Sequence, residues 1–205
     1  MHMRIHRRGL LASLLLMSSF VVAAIENPQD MVRATGEKVM AELTARKAAL
    51  EAYPDRIYPL VESTILPHFD FRQMSQSALG RFWRDASEEQ KEGVTREFRE
   101  LLVRTYATAL LGYSGQEIEY LPVQYRPGDT QVLIPTRVSS AGAPPVPINY
   151  RLKLNDADHW LVYDVVIDGV SLVTNYRSQF AAVVRRDGID GLIGTLATKN
   201  RQTGK

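Results

Sequence analysis

Asp164 and Asp168 lie four residues apart in the stretch WLVYDVVIDGV (160–170). On an extended strand that spacing places both carboxylates on one face. A carboxylate pair in an apolar setting can do acid–base work, and an isomerase or hydrolase acting on an apolar substrate, with Asp164 as base, is the enzymatic reading of the chain. The simpler reading is structural. Asp168 precedes Gly169 and stabilises an Asp-Gly turn, while Asp164 meets an arginine of a neighbouring helix, Arg177 or Arg185. Beyond the first 24 residues only His68 and His159 remain as imidazoles. They lack the paired spacing of a metal site. The chain contains no G-x-S-x-G elbow, no P-loop and no G-x-G-x-x-G. No catalytic residue, metal site or cofactor is therefore assigned.

The elements that carry these residues can be read from periodicity. Asn27-Pro28 starts a helix with Asn as cap and Pro in the first turn. Val32, Val39, Leu43 and Leu50 form its stripe, and Tyr53-Pro54 ends it. A shorter helix carries Ile57, Leu60, Val61 and Ile65 before Pro67, with Pro59 near its start. Asp70 caps a third, which stops at Leu79-Gly80. Ser87 and Gln90 have capping-box spacing at the head of a helix predicted over 87–112. Trp83, between Phe82 and Arg84, fits either a partner surface or a core plug.

Beyond Gly115 the period becomes two. Strands are predicted over 116–125, 130–139, 146–154 and 159–168, with Pro135 marking an edge or a bulge. In the third strand Ile148, Tyr150 and Leu152 alternate with Asn149, Arg151 and Lys153. The fourth is apolar on both parities, which predicts a strand covered on both faces. An amphipathic helix follows, with Leu172, Tyr176, Phe180 and Val184 at helical spacing. The fold class is α+β: about four antiparallel strands in a twisted sheet, wrapped by about six or seven helices.

Residues 1–24 read as a cleaved signal peptide: Arg4, Arg7 and Arg8, then the apolar run 10–22, then Ala23-Ala24. Thirteen apolar residues span about 20 Å as a helix, short of a ~30 Å hydrocarbon core. Three of the 25 basic residues lie in that segment, so the remainder has 22 against 23 acids. A near-neutral chain gives no support to nucleic-acid binding. There is no cysteine, which excludes disulfides, thiolate metal sites and a lipid-modified N-terminal Cys. Residues 25–200 are read as one domain and 201–205 as a polar tail, in a chain expected to be monomeric and soluble in the periplasm.

Four stretches in this order resemble the MlaC family, periplasmic phospholipid-binding proteins of the Mla lipid-transport pathway, also known as toluene-tolerance or ABC-transporter auxiliary proteins. They are FDFRQMSQSALGRFWRDASEEQ (69–90), LLVRTYATALLGYSG (101–115), WLVYDVVIDGVSLVTNYRSQF (160–180) and DGIDGLIGTL (187–196). The resemblance implies helices and sheet enclosing a deep apolar cavity, acyl chains inside and the head group near solvent. It implies no enzymatic activity. It implies lipid shuttling between the membranes to maintain outer-membrane lipid asymmetry. The implied partners are an inner-membrane ABC transporter complex with an MCE-domain subunit and an outer-membrane lipoprotein–porin complex.

Given such a cavity, period and the meeting of helix with concave sheet select its wall. Tyr106 and Leu110 come from the long helix, Tyr150 and Leu152 from the third strand, and Val165 and Ile167 from the fourth. Leu172, Tyr176 and Phe180 come from the helix after it. Leu152→Trp or Val165→Trp is expected to lower lipid occupancy without unfolding the protein.

Overall fold

Asn27 begins the ordered architecture by accepting a hydrogen bond from the Gln29 N–H, 2.9 Å. The computed structural model describes residues 25–126 and 128–203; the signal segment lies outside them. Helix α1 (Pro28–Ala45) stops at Arg46 and the chain resumes as α2 (Lys47–Ala52), so the single helix expected here is two. The α3 helix (Ile57–Thr64) and α4 (Phe71–Leu79) follow. Asp70 caps α4 by accepting from the Gln73 N–H at 2.8 Å. The same residue's N–H donates to the Val162 carbonyl at 2.9 Å and so occupies part of an otherwise open sheet edge.

Helix α5 (Glu88–Tyr106) opens on the reciprocal Ser87–Gln90 capping box, both bonds 3.1 Å. It tightens after Tyr106 into a 3₁₀ segment, Ala107–Gly112, where the sequence predicts α-helix to residue 112. The last helix, α6 (Leu172–Thr203), is two helical segments meeting at Gly188 (φ 73°, ψ −179°) and continues through Arg201. The left-handed φ is one that glycine adopts without steric penalty.

Five antiparallel strands form one open sheet in sequence order: β1 (Glu117–Tyr120), β2 (Gln131–Ser139), β3 (Val146–Leu154), β4 (Trp160–Ile167) and β5 (Val170–Ser171). The two-residue β5 is too short to show an alternation. Asp168 (φ 49°) and Gly169 (φ 78°) make the turn into it, both left-handed as a two-residue hairpin turn of the primed type requires. Pro135 lies in neither an edge strand nor a bulge. It sits in the interior strand β2, one residue past the last β1 pair, Tyr120↔Thr136. Its missing N–H falls where that ladder ends.

No residue of β4 is exposed, as expected of a strand covered on both faces, and a second feature adds to its two-sided apolarity. Arg151 pairs Asp164 but Leu152 pairs Val162, so Tyr163 is an extra residue, a β-bulge. The bulge exchanges the parities: Val165 and Ile167 share a face with Tyr150 and Ile148, and Trp160 and Val162 share it with Leu152 and Leu154. Residues of both parities thus serve one face, while Leu161 and Val166 lie on the other.

Three apolar clusters hold these layers. Between α4, α5 and α6, Phe98 meets Tyr176 (5.0 Å) and Phe180 (5.1 Å) edge to face. Trp83 belongs to this cluster as a plug, 7% exposed, with Arg72 and Lys91 over its ring. A second cluster joins α1, α2 and α3 through Leu43, Leu50 and Ile57. The third lies between sheet and α1 and includes Met31, Ile134, Leu152 and Trp160.

Candidate functional site: a two-lobed apolar cleft

The clusters do not close on one another. A cleft separates the concave face of the sheet from the helices, and it has two lobes. The larger, about 460 Å³, lies between α1 and β1–β3. The smaller, about 230 Å³, lies between α3, α4 and α5 on one side and β3, β4 and the start of α6 on the other. Ile65, Phe69, Leu110, Ile148 and Tyr150 border both lobes and mark their junction.

Local structure explains how each wall is aimed. On α1, Met31, Thr35 and Val39 form one i, i+4 row, and Val32, Gly36 and Met40 the next, so a broad helix stripe faces the larger lobe. Gly36 leaves room in that stripe for the Tyr120 side chain. A Cβ there would fall inside contact distance of the Tyr120 hydroxyl, and the Tyr120 ring is covered by Arg33 at 4.4 Å. The β4 bulge lets one strand serve both lobes: Val162 faces the larger, Val165 and Ile167 the smaller.

The wall is predominantly apolar. Burial pushes the Tyr150 phenol up to about 12, with the Thr136 hydroxyl as its hydrogen-bond partner. Burial likewise raises the Tyr106, Tyr120 and Tyr176 phenols. Thr136 donates in turn to the Ile148 carbonyl at 2.6 Å, so the polar atoms behind Tyr150 are tied into the sheet. The polar side chains at the larger lobe include His68 and Gln116. Gln116 accepts from the Ser114 N–H at 2.8 Å.

Of the nine wall positions read from the sequence, Tyr106, Leu110, Tyr150, Val165, Ile167 and Leu172 border the cleft. Leu152, Tyr176 and Phe180 do not line either lobe. Leu152 is 0% exposed behind the wall in the sheet cluster, and the two aromatics pack on Phe98. Alternation and helical period give a face but not the depth at which packing closes. Residues missed by the sequence reading are chiefly Met31, Thr35, Gly36 and Met40 of α1, and Ile118 and Tyr120 of β1. A glycine in the interior of a helix was the available signal.

Asp164 stands outside the cleft. Its carboxylate accepts from the Ser171 hydroxyl (2.7 Å), the Val173 N–H (3.2 Å) and Arg151 (3.3 Å). The arginine comes from the adjacent strand; Arg177 and Arg185 are not its partners. Asp168 is occupied in the hairpin turn. His159 is exposed at the start of β4. No group of three His, Asp or Glu among the described residues could hold a metal. What the described residues build between sheet and helices is an enclosure lined mainly by apolar side chains.

An antiparallel sheet of five strands with helices packed on it and an apolar cleft between them defines a cleft-bearing α+β protein. Residues 33–198 match the model of the MlaC protein family, and this chain belongs to that family. It is 29% identical over 198 residues to the toluene tolerance protein ttg2D of Pseudomonas putida, covering 93% of this chain and 91% of that protein. It is 27% identical over 180 residues to the intermembrane phospholipid transport system binding protein MlaC of Haemophilus influenzae, covering 86% and 82%. A phospholipid-binding protein from Ralstonia solanacearum, solved in complex with a phospholipid, superimposes with a TM-score of 0.80 at 33% identity. That match covers 88% of this chain and all of that one.

Proposed function

We propose that this protein binds a phospholipid with its acyl chains in the two-lobed cleft and its head group toward solvent, and carries it through the periplasm between membrane complexes. The observation that carries the reading is the cleft itself: two joined apolar lobes, in which burial raises the phenols of Tyr106, Tyr120 and Tyr150. The likeness to the lipid-bound Ralstonia protein supports it. Tyr106, Leu110, Tyr150, Val165, Ile167 and Leu172 are the wall residues proposed to touch acyl chains, joined by the α1 stripe.

Two acyl chains carry about thirty methylenes, worth roughly 24 kcal/mol against water at ~0.8 kcal/mol each. Escape of the lipid into free water is therefore prohibitive, whereas exchange with a bilayer is nearly balanced. Hand-off occurs while the carrier is docked, at an inner-membrane ABC transporter complex with an MCE-domain subunit on one side and an outer-membrane lipoprotein–porin complex on the other. The residues preceding 25 supply the export signal. Asp164, saturated with donors and outside the cleft, gives an acid–base enzyme no geometric footing.

Mass spectrometry of lipids extracted from gently purified protein tests the reading, with near-stoichiometric phospholipid expected. Protein that emerges empty, and stays empty after incubation with phospholipid vesicles, refutes it.

A further inference from the structure

A third enclosure lies on the far side of the cleft wall. It is a recess of about 350 Å³ between the end of α1, α2 and the 107–115 segment. Leu110 borders it and both lobes, and Tyr113 borders it and the larger lobe, so the 3₁₀ turn is a partition with enclosed space on either side. Leu43, Leu50 and Leu111 line the recess on its apolar side, and Leu111 touches neither lobe of the cleft.

Its polar side is formed in part by Lys47 and Glu51, one helical turn apart on α2. Neither side chain has a hydrogen bond or ion pair among the described residues, although the i, i+4 pair just before them, Glu42–Arg46, is closed at 2.6 Å. Lys preceding Glu is the less favourable order for such a pair on a helix, which leaves both groups available. An ammonium and a carboxylate side by side complement a zwitterion: the cation faces a phosphate, the anion an amine. The recess has about half the combined volume of the two lobes. If the lobes together take two chains, it takes one.

We propose that this recess is a second ligand site, for a single-chain zwitterionic lysophospholipid, with the acyl chain against Leu43, Leu50 and Leu111 and the head group between Lys47 and Glu51. The chemistry that supplies such a ligand is hydrolysis of one acyl ester of a phospholipid. The capacity argument rests on the cleft reading; the site itself does not. Carrier and recess would then hold the intact lipid and its one-chain product in separate compartments.

The test is native mass spectrometry of the lipid-loaded protein titrated with lysophosphatidylethanolamine. A ternary species is expected: protein, its two-chain lipid and one lysolipid. Leu111→Trp fills the recess and abolishes that species while keeping the two-chain lipid. Thr44→Trp does the same from an exposed position should Leu111→Trp fold poorly. Lys47→Ala and Glu51→Ala each weaken lysolipid binding roughly two- to fivefold, the range of an exposed ion pair. Displacement of the two-chain lipid without a ternary species, a ternary species that survives both Trp variants, or equal binding of oleate would each overturn the assignment. If the purified protein carries no two-chain lipid, the cleft reading fails separately. The recess is then scored by whether wild type binds one more lysolipid than Thr44→Trp.

Discussion

The Asp164 carboxylate caps the first turn of α6 through the Val173 N–H, 3.2 Å away, and thereby fastens the central strand pair to the longest helix. The bond is made from within the sheet, with Asp164 only 3% exposed. Ser171 completes the cap by accepting from Thr174 N–H while donating to Asp164. Asp164→Ala is expected to cost about 2–3 kcal/mol, because it removes a cap and leaves a buried donor without a partner. Asp164→Asn keeps an acceptor and is expected to cost less. Urea unfolding gives the stabilities, and lipid occupancy of the folded Asp164→Asn protein should match wild type. A loss of occupancy with unchanged stability would place Asp164 in ligand handling.

Tyr150 makes stability fall at alkaline pH. Its folded pKa of about 12 lies above the ordinary value of 10. The folded state therefore holds its proton where the unfolded state has released it. Stability is intact below pH 10 and declines as pH rises through about 12, by roughly 2–3 kcal/mol for two units. Tyr150→Phe should flatten that decline in a pH series of denaturation midpoints. An unchanged slope in the variant would show that the phenol is solvated.

Bulk introduced at the junction of the lobes should compete with lipid. Leu110→Trp and Ile148→Trp occupy the two walls that both lobes share. Each is expected to lower co-purified lipid severalfold while leaving the circular dichroism spectrum intact. Val165→Trp acts in the smaller lobe. Leu152→Trp behaves differently, because Leu152 is fully buried among Ile134, Trp160 and Val162. Overpacking there costs about 1–3 kcal/mol or more, so loss of stability should precede any specific loss of lipid.

Gly36 and Tyr120 form a testable pair. Gly36→Ala gains helix propensity of about 1 kcal/mol but pushes on the Tyr120 hydroxyl. Tyr120→Phe removes the atom that the new methyl meets. The double variant is expected to be more stable than the sum of the singles, a coupling that a thermodynamic cycle measures directly. Additive effects would mean that Tyr120 swings aside freely.

Local chemistry was legible in the sequence wherever one residue type has one job. Asn27, Asp70 and the Ser87–Gln90 box cap the helices they were expected to cap. The β3 range is as alternation predicted. What periodicity could not carry was the third dimension. It named Tyr176 and Phe180 as cavity wall, whereas they line neither lobe and pack on Phe98. It gave α1 an apolar stripe without placing that stripe at the cleft, because a helix face against a filled interior and one against an open cleft have the same pattern. The β4 bulge was invisible for a related reason: one extra residue changes which face a side chain serves without changing how apolar the strand is.

That single inserted residue gives β4 the geometry of a crankshaft. On one side of Tyr163 the strand drives Val162 toward α1, and on the other it drives Val165 and Ile167 toward α5 and Leu172. A chain lacking Tyr163 would keep its composition and its hydrogen-bonding capacity. It would turn half of β4 inside out, putting polar and apolar faces on the wrong sides of the sheet. The indispensable property of position 163 is thus its presence in the count, more than the side chain it bears.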